Sequence, residues 1–265
     1  MSEATAPDSA DPVSPVAGGR HRDKRNNTAA VFAHYRGAAR RSGALEGYIS
    51  VHLVADGWFW MIPLPDGVTS VGFVGTAAAF RARPGSPAEM LAARIAAAPT
   101  VRARLAGAER LGPVRTTGNY SYRAGRSFGE GWLMIGDAFA FLDPVFSSGV
   151  MLAMESAARG AAVAEAWLAN PARGRALARR NERALRAAMD RIGWLIYRIN
   201  EPALRELFMA PSNRLRMRDA VIALLCGHVW PDRRMRLPLA AFRAVYHGLA
   251  AWRRLRPRRP LDRPA

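Results

Sequence analysis

Residues 131–150 read Gly131-Trp-Leu-Met-Ile-Gly-Asp-Ala-Phe-Ala-Phe-Leu-Asp-Pro-Val-Phe-Ser-Ser-Gly-Val150, and this stretch decides the fold. The run Trp132–Ile135 is short and wholly apolar, which predicts a strand that is buried on both faces. Gly136 ends the strand and permits close approach of a ligand or another backbone. Asp137 then places an anionic acceptor at the carboxyl end of the strand, where a ligand hydroxyl is a natural partner.

The second half of the stretch predicts the start of a long helix. Asp143-Pro144 makes a turn, and Ser147-Ser148-Gly149 opens a helix over Val150–Ala169. The free N–H groups of the first turn suit a phosphate or the pyrimidine edge of a flavin, because they carry the positive end of the helix dipole. The residues alone leave a purely structural alternative open, with Asp137 as a turn residue and Ser148 as an ordinary N-cap.

Small residues recur at helical spacing along this predicted helix. Gly149, Ala153, Ser156 and Gly160 lie three or four positions apart. We therefore expect one face of the helix to pack closely against another element.

Four strands are predicted upstream of this stretch. Alternating apolar residues predict strands at Thr28–Arg36 and Gly47–Val54. Two more follow at Trp58–Leu64 and Val68–Val74, and Asp66-Gly67 between them is a strong hairpin signal. These four strands predict an antiparallel sheet.

Helices dominate the rest of the chain, so the fold class predicted is α+β. Ser86 as N-cap and Pro87 in the first turn open a helix that runs to about Ala98. A shorter helical piece covers Val101–Ala106, and Val114–Arg123 is extended. Further helices are expected at residues 172–199, 201–209, 215–228 and 237–253.

The charge of the chain favours no nucleic-acid partner. The net charge is +18, and Lys24 is the only lysine among 39 basic residues. The arginines are scattered and no nucleic-acid motif accompanies them, which indicates an arginine-rich bias spread over solvated faces. The basic tail from Trp252 onward could contact anionic lipid or an acidic partner, or be a disordered end.

Other functional classes are disfavoured as well. No apolar run reaches the roughly 18 residues of a membrane span, and the N-terminus has no apolar signal core. The single cysteine, Cys226, fits a reducing compartment, so the sequence predicts a cytoplasmic protein without membrane contact. The five histidines form no ligand set, and we expect no metal site.

Two motifs together resemble a known family. The string Gly136–Val150 resembles the second FAD-binding motif of flavin-dependent halogenases, which share their fold with aromatic hydroxylases. Upstream, Trp58-Phe-Trp-Met-Ile-Pro63 is similar to the halogenase signature Trp-x-Trp-x-Ile-Pro. Gly-Asp alone would be a weak signal, but both motifs in this order, about 75 residues apart, are a strong one. The resemblance covers roughly residues 24–230.

The resemblance implies FAD as cofactor and assigns roles to the second motif. Asp137, next to Gly136, would bind the ribityl or pyrophosphate region. Pro144 would lie near the isoalloxazine. The backbone amides that would face the pyrimidine edge belong to Ser147, Ser148, Gly149 and Val150.

The first motif would form a barrier between flavin and substrate. In the family these tryptophans keep the substrate away from the activated flavin, so that halide is oxidised instead. The barrier would comprise Trp58, Trp60, Ile62, Pro63 and Phe146. From the residues alone, Trp58 and Trp60 at i and i+2 on one strand face are also typical of core packing.

The residue type at position 146 indicates the substrate class. Halogenases of free tryptophan carry a glutamate at the matching position. The resemblance therefore points to the branch that acts on small phenolic or pyrrolic aromatics, often tethered to a carrier protein. An arginine-rich surface would attract an acidic carrier protein.

The sequence departs from the family in two respects. It contains no Gly-x-Gly-x-x-Gly motif, the loop that cradles the FAD pyrophosphate. The family's catalytic lysine belongs to the same absent part, and nothing suggests that Lys24 replaces it, so no catalytic residue is identified. We therefore expect weak or absent FAD binding by this chain alone and uncovered apolar surface at Trp132–Ile135.

These departures predict a truncated or split halogenase, with a flavin reductase and a Gly-x-Gly-x-x-Gly-bearing partner chain in the complete system. Two alternatives stay open: an FAD monooxygenase or reductase of the same fold that does not halogenate, and a non-catalytic basic protein that binds membranes or partners. The domain organisation expected is a disordered segment over 1–23, a substrate sheet with helices over 24–125, part of an FAD-binding domain over 126–170, a helical region over 171–253 and a basic tail over 254–265.

Overall fold

The computed structural model describes residues 18–22, 28–82, 85–118, 121–210, 212–230 and 232–255. The chain divides into two compact units, Met1–Gly125 and Arg126–Ala265. An antiparallel sheet dominates the first unit and helices dominate the second, so the predicted α+β class is confirmed.

The first unit is built on a five-stranded antiparallel sheet. Its strands lie in the order β3-β4-β5-β2-β6, and β1 pairs separately with β7. The strands are β1 (Arg20–Arg22), β2 (Thr28–Arg36), β3 (Ser50–Val54), β4 (Gly57–Pro63), β5 (Val68–Thr76), β6 (Glu109–Gly118) and β7 (Tyr122–Ala124). The four predicted strands and their antiparallel pairing are confirmed. The predicted hairpin turn is also present, since Asp66 and Gly67 both have positive φ (56° and 73°), as a type I′ turn requires.

Three helices accompany this sheet and complete the core of the unit. They are α1 (Ala77–Arg81), α2 (Pro87–Ala96) and α3 (Pro99–Arg104). Ser86 caps α2 as predicted: its side chain accepts from the Glu89 N–H while the Glu89 carboxylate accepts from the Ser86 N–H. The buried face of α2 packs Met90 and Leu91 against Phe59 and Phe73 of the sheet.

The second unit carries three short strands and five helices among its described residues. They are β8 (Phe128–Gly129), β9 (Trp132–Leu133), β10 (Ala140–Phe141), α4 (Gly149–Ala169), α5 (Pro171–Ile196), α6 (Pro202–Met209), α7 (Met217–Leu225) and α8 (Arg233–Leu255). The predicted helices are confirmed with shifted bounds. The helix predicted from residue 215 begins at Met217 because Leu215 and Arg216 have left-handed backbone, and α8 begins before Pro238 rather than at it.

The prediction of a buried strand at Trp132–Ile135 is wrong in two respects. Only Trp132–Leu133 is a strand, and it pairs antiparallel with β8. The side chains of Leu133 and Ile135 are 36% and 42% exposed. An apolar run predicts a surface suited to burial, but burial also needs a covering element, and α4 covers these two side chains only in part, at Gly160.

Some predictions concern the ends of the chain. Disorder was predicted over residues 1–23, but Arg20–Arg22 form β1 because their backbone pairs with Tyr122–Ala124. Residues 1–17, residue 23, Lys24 and residues 256–265 lie outside the described residues. Within the described ranges, no helix is long and apolar enough to cross a membrane.

Candidate functional site

The tryptophan motif lies on β4, where alternate side chains take opposite faces of the sheet. Phe59 and Met61 join the core against the helices. Trp58, Trp60 and Ile62 therefore lie on the other face, which we call the tryptophan face, together with Phe32 of β2. The ring centroids of Trp58 and Trp60 are 5.9 Å apart, and those of Trp60 and Phe32 are 5.7 Å apart.

The ring of Trp60 is fixed by its neighbours on β5. Trp60 pairs with Gly72, and a methyl group added at Gly72 would lie 2.2 Å from the indole ring, so the ring lies flat over this glycine. The indole N–H donates to Ser70 Oγ at 3.1 Å. Trp58 is buried, while Trp60, Ile62 and Pro63 are half-buried. On this face, the indole of Trp60 is therefore fixed by its hydrogen bond to Ser70 and by its close packing on Gly72, where a side chain would not fit.

In the second unit, the end of the β9 segment docks onto α4. The Gly136 N–H donates to Ser156 Oγ at 2.9 Å, and Ser156 Oγ donates to the Ala153 carbonyl. Gly136 has a φ of +52°, and a methyl group there would lie 2.9 Å from Ala153 Cβ. Only glycine satisfies both the backbone conformation and the close approach.

This docking brings Asp137 to the start of α4. Asp137 lies in a short 3-10 turn directly after Gly136, and its side chain is exposed. A methyl group added at Gly149 would lie 4.0 Å from Asp137 Oδ1. The carboxyl end of the strand segment and the amino end of the helix are therefore adjacent, and a carboxylate stands beside the helix start.

The amino end of α4 has N–H groups directed away from the helix. Its first backbone hydrogen bond runs from the Leu152 N–H to the Ser148 carbonyl at 3.0 Å. Ser148 is buried but makes no side-chain cap, so it is not the ordinary N-cap of the structural alternative. The N–H groups of Gly149, Val150 and Met151 precede that first bond, so the helix itself provides no carbonyl acceptor for them. They form a positive site of the kind that binds anionic or carbonyl oxygens.

The turn before α4 is held in an uncommon conformation. Ser147 is left-handed (φ 51°), and its N–H donates to the Pro144 carbonyl at 2.8 Å. Asp143 is buried and accepts from the Val145 N–H. Left-handed backbone at a residue with a side chain costs on the order of 1 kcal/mol, and such strain tends to occur at functional sites.

The side chain of Phe146 extends from this turn toward α6. Its ring stacks on that of Phe208 with centroids 5.8 Å apart and an interplanar angle of 19°. A glutamate at this position would meet an aromatic ring instead of a charge partner. Sequence reasoning singled out Phe146 but did not identify Phe208, because the helical pattern of α6 does not indicate which neighbour its aromatic side chain contacts.

A carboxylate on α5 anchors the β8–β9 hairpin. Glu182 Oε2 accepts from the Ser127 N–H at 2.8 Å and from Ser127 Oγ at 3.0 Å, and Arg186 donates to Glu182 Oε1. Burial raises the pKa of Glu182, but the hydrogen bonds from Ser127 and Arg186 outweigh burial, and the net direction is down. Sequence analysis missed Glu182, which resembles any other charge on an amphipathic helix. Ser156, in contrast, belongs to the small-residue pattern of α4.

Exposed apolar side chains lie on the strand segment and on the first two turns of α4. Leu133, Ile135, Val150 and Met154 form what we call the apolar collar of the segment, with Val150 and Met154 73% and 70% exposed. Gly160 of α4 approaches both Leu133 and Ile135, since a methyl group there would lie 2.9 and 3.3 Å from them. Strand segment and helix thus both carry exposed apolar side chains, and Leu133 and Ile135 include the uncovered apolar surface that the sequence predicts at Trp132–Ile135.

Comparison with known proteins identifies the family. The model of the tryptophan halogenase family matches residues 26–201. Among curated proteins, the 1H-pyrrole-2-carbonyl-(peptidyl-carrier protein) brominase of Pseudoalteromonas luteoviolacea is 32% identical over 148 residues, which is 55% of this chain and 36% of that protein. The tryptophan 2-halogenase of Chondromyces crocatus is 35% identical over 143 residues, covering 53% of this chain and 27% of that protein.

A solved structure shows the same relationship. A triple mutant of the flavin-dependent brominase Bmp2 aligns with a TM-score of 0.74 and 26% identity, over 91% of this chain and 60% of that chain. The chain thus spans about a third of the length of these curated relatives and 60% of the brominase. The family match extends over both the tryptophan motif and the 136–150 segment, and this chain belongs to the tryptophan halogenase family of flavin-dependent halogenases.

Proposed function

We propose that the chain forms the ribityl and pyrimidine side of an FAD site, together with the substrate barrier, in a halogenase of electron-rich aromatics. The observation that carries this proposal is the helix start of α4, where Gly149 lies beside Asp137 in the segment that resembles the family's second flavin motif. The tryptophan motif in the same chain supports halogenation over other flavin chemistry.

The residues present fit a flavin. The exposed Asp137 carboxylate accepts hydrogen bonds, as a ribityl hydroxyl requires, and the first-turn amides donate them, as the pyrimidine carbonyls require. Gly149 leaves room for close approach at the helix start. When bound, reduced FAD with oxygen would supply the oxidising equivalent that converts halide into an electrophilic halogen.

Trp58 and Trp60 would keep the organic substrate from the flavin. The rigid support of Trp60 by Gly72 and Ser70 favours this role, because a barrier must hold one shape. Ile62 and Pro63 extend the same motif along β4. We propose these four residues, together with Phe146, as the barrier and assign no catalytic acid, base or lysine to the chain.

The substrate proposed is a small phenolic or pyrrolic ring carried by an acyl or peptidyl carrier protein. Two relatives are named for a pyrrole-2-carbonyl group on a peptidyl-carrier protein, the brominase above and a chlorinase of Pseudomonas fluorescens. Phe146 supports the same branch. Its ring stacks on that of Phe208, whereas halogenases of free tryptophan carry a glutamate at the matching position. A flavin reductase would supply the reduced cofactor.

A complete FAD site also needs a pyrophosphate loop. Residues 1–265 contain no Gly-x-Gly-x-x-Gly motif. We propose that a segment bearing this motif joins the site, whether in the same polypeptide or as a partner chain, and that residues 1–265 alone bind FAD weakly. The apolar collar supports this, because exposed apolar surface of this kind is commonly covered by a partner element.

The test is FAD retention and halogenation by the chain co-expressed with a Gly-x-Gly-x-x-Gly-bearing protein. We expect a yellow complex that, with flavin reductase, oxygen and bromide or chloride, adds halogen to a pyrrolyl or phenolic carrier-bound substrate, followed by mass spectrometry. Asp137→Ala should weaken FAD binding about tenfold or more, because a charge-assisted hydrogen bond is lost.

Asp219→Ala is the matched control, since this exposed carboxylate lies on α7 beside Arg216 and Arg218. Equal FAD affinity of the Asp137 and Asp219 variants would contradict the assignment of the cofactor site. A hydroxylated product that does not depend on halide would replace the halogenase with a monooxygenase. Flotation with anionic vesicles in the absence of any flavin complex would favour the non-catalytic alternative.

A further inference from the structure

A second site lies in the helical region, away from the residues discussed so far. Residues at the end of α5, in the α7–α8 connection and on the first half of α8 line a solvent-open cavity of about 590 Å³. This volume lies within the range of small-molecule pockets, about 300–1,000 Å³. The flavin and halogenase motifs include none of its lining residues.

The cavity concentrates positive charge. Its lining includes four arginines, Arg191, Arg233, Arg236 and Arg243, against the single carboxylate of Asp232. Asp232 Oδ1 accepts from the Arg234 backbone N–H at 2.8 Å. Within the described ranges, none of the four guanidinium groups lies within 4.0 Å of a carboxylate. The wall of the cavity therefore has unneutralised positive charge.

Two of the guanidinium groups are held in place. Arg191 donates to the Val229 carbonyl at 2.7 Å, and Arg243 lies over the Trp194 ring at 4.9 Å. Burial lowers the pKa of Arg243, and the positive charges of Arg198 and Arg191 lower it further. Gathering like charges in this way costs stability, and an anion bound among them would recover it. The guanidinium fork also matches phosphate geometry.

The rest of the lining is apolar or aromatic. Trp230 lies in the wall, and Arg159 of α4 stacks on its ring at 3.6 Å, which fixes the ring. Met235 and Leu239 of α8 add apolar surface. A bare inorganic ion would leave most of the volume unfilled.

We infer that this cavity binds an organic phosphate whose phosphate group contacts Arg191, Arg236 and Arg243 and whose apolar or aromatic part lies against Trp230 and Leu239. Such a group occurs on a free small molecule or in a lipid headgroup, and both share this chemistry. The inference does not depend on the proposed function, because no flavin or halide contact is involved.

The experiment uses phenyl phosphate as the probe, titrated calorimetrically into the full 265-residue chain. We expect saturable binding at one site, tighter than that of inorganic phosphate, and weakened by added salt because exposed charges are screened. Arg236→Gln and Arg243→Gln should each lower the affinity for phenyl phosphate about 10- to 100-fold. Circular dichroism would verify that each variant stays folded.

Arg179→Gln is the matched control, because it removes the same charge from an exposed position on α5. If it weakens binding as much as Arg243→Gln, the probe senses only the overall charge and the site is refuted. Equal affinity for phenyl phosphate and inorganic phosphate would refute the apolar part of the site. Absence of saturable binding would refute the whole inference.

A second arm separates the two sources of phosphate. Vesicles of phosphatidylcholine with phosphatidylglycerol are floated with the wild-type chain and with the Arg236 and Arg243 variants. Flotation that these variants abolish and Arg179→Gln preserves would assign a lipid headgroup. Calorimetric binding without flotation would assign a free organic phosphate, and flotation that none of the variants affects would contradict a role of the cavity at lipid.

Discussion

The tryptophan face and the apolar collar carry similar side chains but differ in how they are supported. On the tryptophan face, Trp60 is covered below by Gly72 and bonded to Ser70, and Trp58 is buried. On the collar, Val150 and Met154 are more than two thirds exposed. The comparison teaches that the indole of Trp60 is fixed by contacts within its own sheet, whereas Val150 and Met154 present apolar surface without such support.

The largest effect is expected from filling the space under Trp60, which tests whether its ring is held in place. Gly72→Ala places a methyl group 2.2 Å from the indole ring, so the ring must move and its hydrogen bond to Ser70 is disturbed. We expect a loss of about 1–3 kcal/mol in the free energy of unfolding, measured by urea denaturation. Gly248→Ala on α8 is the control, because its methyl group meets nothing within 4 Å. The free energy of unfolding of this control should increase by up to about 1 kcal/mol, because alanine has the higher helix propensity. A Gly72→Ala variant that is as stable as wild type would show that Trp60 is not held as described.

The second prediction concerns the collar itself. Met154→Gln should change the free energy of unfolding by no more than about 0.5 kcal/mol, because the side chain has little packing to lose. It should instead reduce self-association of the chain, measured by light scattering, since it removes exposed apolar area. Leu168→Gln is the control, because it changes an even more exposed residue, 88% against 70%, at the other end of the same helix. If both variants reduce self-association to the same extent, the collar is not a distinct surface.

The smallest effect is a pH dependence in the sheet. Burial lowers the pKa of His52, and the charges of Arg104 and then Arg41 lower it further. The Nε2 atom of His52 is buried without a hydrogen-bond partner among the described residues. As the pH falls below about 6.5, the ordinary value for histidine, the unfolded chain binds a proton here before the folded chain does. Stability is therefore complete above that pH and decreases from there down to the lowered folded value.

The control for this prediction is His52→Gln, which removes the titrating group. We expect the urea midpoint of this variant to depend less on pH than that of wild type across the same interval. A steeper or unchanged dependence in the variant would contradict the lowered pKa of His52.

Local patterns predicted most of the architecture. The Asp66-Gly67 turn, the capping box at Ser86 and the start of α4 after Ser148 each follow from a few adjacent residues. The same is true of the four strands of the sheet, whose alternation of apolar residues is a local signal. Motif spacing also indicated the family, which the match over residues 26–201 confirms.

Contacts between distant segments were not predictable in this way. The burial of Trp132–Ile135 depends on a neighbouring element. The apolar run alone predicts burial, whereas the absence of the Gly-x-Gly-x-x-Gly motif predicts uncovered surface, and the exposure of Leu133 and Ile135 agrees with the second prediction. The anchoring of Ser127 by Glu182 joins residues 55 positions apart. The arginine-lined cavity joins α5 with α8, although the sequence showed only scattered arginines. Scattering along the chain does not imply scattering in space.

The pair of indoles on the tryptophan face has an optical consequence. With centroids 5.9 Å apart and planes tilted by 53°, Trp58 and Trp60 are close enough for their electronic transitions to couple and are arranged asymmetrically. Their near-ultraviolet circular dichroism should therefore report the fixed geometry of this face and disappear when specific packing is lost. This signal would therefore show by spectroscopy whether Trp58 and Trp60 keep their arrangement.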